Sequence, residues 1–160
     1  DITAQAEMSK PFNGCINLDD VRLLAPDDMP STIEALCREA DHPVPETRGA
    51  IVRCALESLA LKYRQTLRNL DNMLGRKTEK LHIIGGGVQN KLLCQMTADA
   101  CGIPVITGPI EATALGNIGV QAMGIGVIES LASLRETISR SIELEHYTPQ
   151  NPAAWDALDK

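Results

Sequence analysis

The chain has 160 residues, enough for one domain with a core of its own. Its net charge is −6 and aromatic residues make up 2% of it, which argues against a surface for nucleic acid or anionic membrane and against base-stacking or sugar-stacking platforms. No apolar run reaches the roughly 18 residues of a membrane span, and no basic-then-apolar leader is present, so a cytoplasmic protein is expected; a start at Asp1 in place of Met reads as a piece cut from a longer one.

Residues 1–30 have little period, being punctuated by Pro11, Asn13, Gly14, Pro26 and Pro30. They predict extended, irregular chain with room for a short strand. Ser31 and Glu34 have the spacing of a capping box and predict the start of a helix. Its apolar stripe is Ile33, Leu36 and Cys37, and Asp41-His42-Pro43-Val44-Pro45 breaks it. Thr47 caps the longest helix, which runs to Leu74 and ends at Gly75. Ile51, Cys54, Ala55, Leu59, Leu67, Leu70 and Leu74 recur along it at helical spacing, so that face is expected to be buried.

Residues 76–80 form a charged loop. Leu81-His82-Ile83-Ile84 predicts a short strand that runs straight into Gly85-Gly86-Gly87. Asn90 to Cys101 reads as a helix with Leu93, Met96 and Ala100 on one side and Gly102 as its C-cap. Pro104 to Thr107 predicts a second strand, parallel to the first if the helix between them is a crossover. Ala112 to Met123 is a further helix, in which Gly116 and Gly119 allow close backbone contact. A last helix starts at Ser130 or Ser133 and reaches Arg140. The tail, with Tyr147-Thr148-Pro149 and Pro152, reads as departing chain.

Charge is uneven along the chain. Residues 1–46 carry 3 basic and 10 acidic side chains, whereas residues 47–80 carry 8 basic and 3 acidic. A basic middle suits a phosphate; the plainer reading is a solvated helix face with cations near the helix end. The five cysteines include no CxxC, and His42, His82 and His146 lie far apart, so no zinc site is expected. Cys37 and Cys54 fall near facing ends of two helices, where they could meet as a disulfide or as a packed pair.

A strand entering three glycines and then a helix start suits a phosphate or nucleotide. Glycine lets the backbone approach a ligand closely, and the helix start presents N–H groups and a positive dipole end. A tight strand-to-helix turn with no ligand has the same pattern. Neither GxxxxGK[ST] nor GxGxxG is matched, and no GxSxG is present. Glu111 is expected as a helix-start residue and Asp99 in a surface or capping role; no pair of carboxylates nominates a general base.

Taken together, Leu81 to Asn90, Ala98-Asp99, Gly102 to Val105 and Glu111-Ala112-Thr113-Ala114-Leu115-Gly116-Asn117 resemble the C-terminal half of the FGGY carbohydrate kinases. Cys15-Ile16-Asn17, Asp19-Asp20, Arg22, Pro45-Glu46-Thr47 and Glu57 to Tyr63 extend the resemblance over about residues 12 to 150. It implies an α/β, actin-like (ribonuclease-H-like) ATPase lobe, helix-rich with a small sheet, in which residues 1–160 are the C-terminal, nucleotide-side lobe. The family's nucleotide contacts map onto Gly86 and Asn90, with Gly85 and Gly87 shaping the same turn. ATP or ADP with Mg2+ is the implied cofactor, the metal not being held directly by this lobe. The implied reaction moves the γ-phosphoryl of ATP to a sugar hydroxyl, first the 1-hydroxyl of L-rhamnulose, with xylulose, ribulose, fuculose and glycerol as alternative acceptors. The catalytic aspartate and the sugar pocket are expected upstream, so no catalytic residue is assigned here and a lobe alone is expected to be inactive. A non-catalytic nucleotide-binding module of the same fold is the competing expectation. The resemblance also puts Cys37 and Cys54 where relatives can carry a paired cysteine, which favours a bond or a close contact, while the reducing setting of a cytosol favours free thiols.

Overall fold

A computed structural model describes residues 1–158. The chain opens with a helix, α1 (Ile2–Met8), where extended chain was expected. Asp1 caps it by accepting the Thr3 N–H at 3.0 Å. Seven residues are too few for a helix to hold in water by themselves; this one rests on a neighbour. A Cβ at Gly49 would stand 2.6 Å from the Gln5 carbonyl, so only glycine lets α1 lie this close to the next long helix. Arg53 completes the joint by donating Nη1 to the carbonyls of Ala6 and Glu7 at 3.1 and 3.0 Å.

α2 spans Met29–Glu39 and buries Ile33, Leu36 and Cys37 as its spacing requires. Its cap is Asp28, not Ser31: the Asp28 carboxylate accepts the Ser31 N–H at 3.0 Å, and Pro30 stands in the first turn. The predicted start was late because Pro30 hides a helix start from a capping-box search; proline is at home there because its missing N–H has no partner to lose. α3 spans Arg48–Leu74, capped by Thr47 and closed by Gly75 in the left-handed conformation, φ 63°. Its apolar face is buried only over the first two-thirds; Leu70 and Leu74 are exposed.

β1 (Leu81–Ile83), α4 (Lys91–Cys101) and β2 (Val105–Thr107) follow, with β1 and β2 parallel and Leu81 opposite Val105. α5 (Ala112–Gly124) and α6 (Leu131–Ser141) come next. A Cβ at Gly119 would meet Leu134 at 2.5 Å, so glycine is needed there for α5 to meet α6; at Gly116 nothing lies within 4 Å, and the close contact expected there is absent. The tail does not depart. Tyr147 and His146 form β3, antiparallel to β2, and α7 (Pro152–Asp156) returns to α4. Asp99 fastens that return by accepting the Gln150 N–H at 2.6 Å.

Two apolar clusters sit against α3. One joins Leu56 and Ala60 to Leu93, Met96 and Ala100 of α4 and to Trp155, which is only 3% exposed. Phe12 meets Trp155 edge to face, with ring centroids 5.1 Å apart. The other joins Ile33, Leu36 and Cys37 of α2 to Cys54 and Ile16. Between them lies Glu57, 2% exposed, whose carboxylate accepts the Phe12 N–H and the Arg53 Nε at 2.7 Å. Burial pushes the Glu57 carboxyl up, and the two donors work against that. Among the described residues no helix is long and apolar enough to cross a membrane.

Candidate functional site

The four residues singled out in the sequence meet in one turn. Gly85 to Gln89 wind into a single short 3-10 segment between β1 and α4. Gly85 has φ 78°, a conformation that side chains rarely adopt, so its glycine is a requirement of the turn. Two backbone bonds staple the turn to the end of β2: Gly85 N–H donates to the Pro109 carbonyl at 3.0 Å, and Gly108 N–H to the Ile83 carbonyl at 2.7 Å. A Cβ built on Gly85 or Gly86 meets nothing within 4 Å. Their lack of a side chain is therefore not explained by packing within the described residues; it leaves an open backbone surface that a ligand could approach.

Asn90 closes the turn. Its N–H donates to the Gly87 carbonyl at 3.2 Å, and its Oδ1 accepts the Leu93 N–H at 3.0 Å as the cap of α4. The Asn90 oxygen is thereby spent within the protein, while its Nδ2 has no partner among the described residues. The first N–H groups of α4 and its positive dipole end face the same turn. Open glycine backbone, a spare amide donor and a helix start are a donor set that fits the acceptors of a nucleotide.

Beside the turn lies a cleft of 590 Å3, walled by Val88, Gln89 and Lys91 on one side and Thr107, Gly108 and Glu111 on the other. Glu111 precedes α5 but its side chain caps nothing; only its carbonyl accepts, from Leu115 N–H at 3.0 Å. The rim holds an ion pair the sequence did not single out. Lys91 Nζ reaches Glu145 Oε1 at 2.5 Å, and the Tyr147 hydroxyl donates to the other oxygen. These partners hold the Glu145 carboxyl below its ordinary range and the Lys91 ammonium above its own. Adjacency of Lys91 to Asn90 was the available signal; Glu145 lies 54 residues away and becomes a neighbour only through β3. Among the described residues no group of three or more His, Cys, Asp and Glu side chains could hold a metal ion.

A small sheet between helices, ending in a glycine turn at a helix start, is the architecture of an actin-like ATPase lobe, and this chain belongs to the FGGY family of carbohydrate kinases: residues 2–125 match that family's C-terminal domain. The chain is 52% identical over 157 residues to the rhamnulokinase of Bacteroides thetaiotaomicron, covering 98% of the chain and 32% of that protein. It thus spans about a third of the length of that curated relative. Among solved structures it is similar to the xylulose kinase of Rhodospirillum rubrum, with 27% identity and a TM-score of 0.53 over 71% of the chain and 22% of that protein. The fold also matches the glycerol kinase of Plasmodium falciparum, solved with ADP, with 23% identity and a TM-score of 0.57 over 70% of the chain and 22% of that protein.

Proposed function

We propose that residues 1–160 are the nucleotide-side lobe of a rhamnulokinase, whose whole form transfers the γ-phosphoryl of ATP to the 1-hydroxyl of L-rhamnulose. The single observation that carries the substrate is the 52% identity to a rhamnulokinase along nearly the whole chain. The nucleotide side is supported by geometry. ATP or ADP would lie against the bare backbone of Gly85, Gly86 and Gly87, and the Asn90 Nδ2 would donate to an acceptor of the nucleotide. When bound with Mg2+, the nucleotide supplies the phosphoryl group to be moved.

This chain's residues bind and orient. Phosphoryl transfer depends on alignment and charge stabilisation between parts that close on the substrate. The turn contributes half of such a clamp, held in shape by the two staples to the end of β2. No general base is assigned among the described residues. Partners are accordingly a nucleotide and a small sugar.

The test is ATP-dependent phosphorylation of L-rhamnulose, xylulose, ribulose, fuculose and glycerol by this chain and by the longer protein that contains it. A longer protein that prefers L-rhamnulose beside an inert 160-residue chain is the expected result. Preference for another sugar removes the substrate but leaves the nucleotide turn. Turnover by the chain itself would mean that one of its own carboxylates is the base.

A further inference from the structure

The ion pair on the rim of the cleft is one end of a longer series of bonds. Glu145 stands just before β3, half-buried, and belongs to neither apolar cluster. Three elements nonetheless meet on it. Its main chain is bonded twice to Thr107, the last residue of β2. The Thr107 N–H donates to the Glu145 carbonyl, and the Glu145 N–H donates to the Thr107 hydroxyl, both at 2.9 Å. Its side chain accepts from Lys91, the first residue of α4, at 2.5 Å, and from the Tyr147 hydroxyl of β3.

These bonds close a ring around the glycine turn. Gly108 follows Thr107 and is stapled to Ile83, the end of β1, and Gly85 is stapled to Pro109. The turn then runs to Asn90, and Lys91 comes next. One side of the turn is thus held to the end of β2 by two backbone bonds. The Asn90 side is tied to the same strand end by a side-chain link, Lys91 to Glu145. Tyr147 takes one oxygen of the carboxylate and leaves the other for Lys91. An exposed ion pair contributes little to stability; what this one sets is the separation of two backbone segments. A site already in its bound shape spares its ligand the cost of ordering it.

We propose that Glu145 is a positioning residue for the nucleotide: through Lys91 it holds the Asn90 end of the glycine turn at a fixed place against the end of β2. This role rests on the reading of that turn as the nucleotide surface. Glu145 has no contact with the nucleotide in it and acts only through Lys91. Cutting the link should therefore weaken ATP and leave the sugar and the chemical step alone.

The test is steady-state kinetics of the longer protein that contains this chain, with ATP and the sugar it phosphorylates varied in turn. Lys91→Met and Glu145→Gln each cut the link and nearly keep the length of the side chain. Each should raise the Michaelis constant for ATP about threefold or more, with turnover and the constant for the sugar changed less than about twofold and the melting temperature unchanged. The double variant Lys91→Met/Glu145→Gln should be no worse than either single one, since both cut the same link. The exchange Lys91→Glu/Glu145→Lys should bring the ATP constant back toward its usual value, whereas Lys91→Glu alone sets two carboxylates together and should be the worst. Glu136→Gln removes an exposed ion pair with Arg140 on α6 and should change none of these constants. A rise in Lys91→Met with none in Glu145→Gln would give Lys91 its own contact with the nucleotide and overturn the role of Glu145. Additive effects of the two substitutions, or an equal rise in Glu136→Gln, would overturn it too. Gly86→Val separates the two readings. A raised ATP constant there beside normal constants in both link variants removes only the role of Glu145; a normal constant there removes the nucleotide from the turn and that role with it.

Discussion

The side-chain oxygen of Asn90 accepts the backbone N–H of Leu93 at 3.0 Å, so one residue both closes the glycine turn and opens α4. Its two side-chain atoms can therefore be separated by experiment. Asn90→Ser keeps an oxygen that can cap the helix but loses the amide donor; Asn90→Ala loses both. Loss of the cap should cost about 1 kcal/mol. The expected result is that Asn90→Ser melts like the unaltered chain and binds ATP several-fold more weakly, while Asn90→Ala shows the same weakening and a lower melting temperature. Undiminished ATP affinity in Asn90→Ser, measured by calorimetry, would confine Asn90 to capping.

Two glycines make a matched contrast. A Cβ at Gly86 meets nothing within 4 Å, whereas one at Gly119 stands 2.5 Å from Leu134. Gly86→Val should fold normally and raise the Michaelis constant for ATP in the longer protein by tenfold or more, because the side chain occupies ligand space. Gly119→Ala should leave that constant unchanged and destabilise the lobe by about 1–3 kcal/mol through overpacking of α5 on α6. Thermal melts and ATP saturation curves on both variants check the pair; a normal Michaelis constant in Gly86→Val would take the nucleotide away from this turn.

The parts that local chemistry decides were legible. Thr47 opens a helix through its hydroxyl, Gly75 and Gly102 end helices because glycine adopts the left-handed backbone, and strand, glycines and Asn90 fall in the order that makes the turn. What was not legible depends on partners remote in sequence. α1 is too short to be helical without Gly49 and Arg53 beneath it. β3 has two residues and exists because β2 offers an edge; Asp99, read as a surface or capping residue, is the fastener of the returning tail. Leu70 and Leu74 keep the helical period of α3 beyond the point where the described residues cover it, since periodicity reports a face and not its cover.

The thiols of Cys37 and Cys54 lie 3.7 Å apart in the cluster that joins α2 to α3, and burial pushes both of them up. They are poor nucleophiles in that state. Cys54→Ser puts a hydroxyl among Ile33, Leu36 and Ile51. It should cost about 1–3 kcal/mol of stability and leave phosphoryl transfer by the longer protein at its usual turnover. Urea unfolding beside a turnover assay checks both halves. A large loss of turnover in a normally folded Cys54→Ser protein would give this pair a part in the chemistry.

Arg22 provides the pH test. Its guanidinium lies between Asp20, at 2.9 Å, and Glu39, at 2.7 Å, on the outside of α2. The bond from Arg22 holds the Asp20 carboxyl at about 2, from an ordinary 3.8, and holds Glu39 below its range as well. A carboxyl whose folded value is lowered contributes stability above its unfolded value and loses it as the pH falls through the folded one. This clamp should therefore be intact at pH 5 and lose its contribution between about pH 4 and pH 2. Salt should weaken it, because all three groups are solvated. In Arg22→Ala the Asp20 value should rise yet stay below 3.8, since the backbone N–H of residue 22 still caps the carboxylate at 2.9 Å. Unfolding midpoints of the two proteins should differ at pH 5 and converge at pH 2. A carboxyl-detected titration that finds Asp20 unmoved by the substitution would show that the guanidinium does not hold it, and that the backbone cap alone sets its charge.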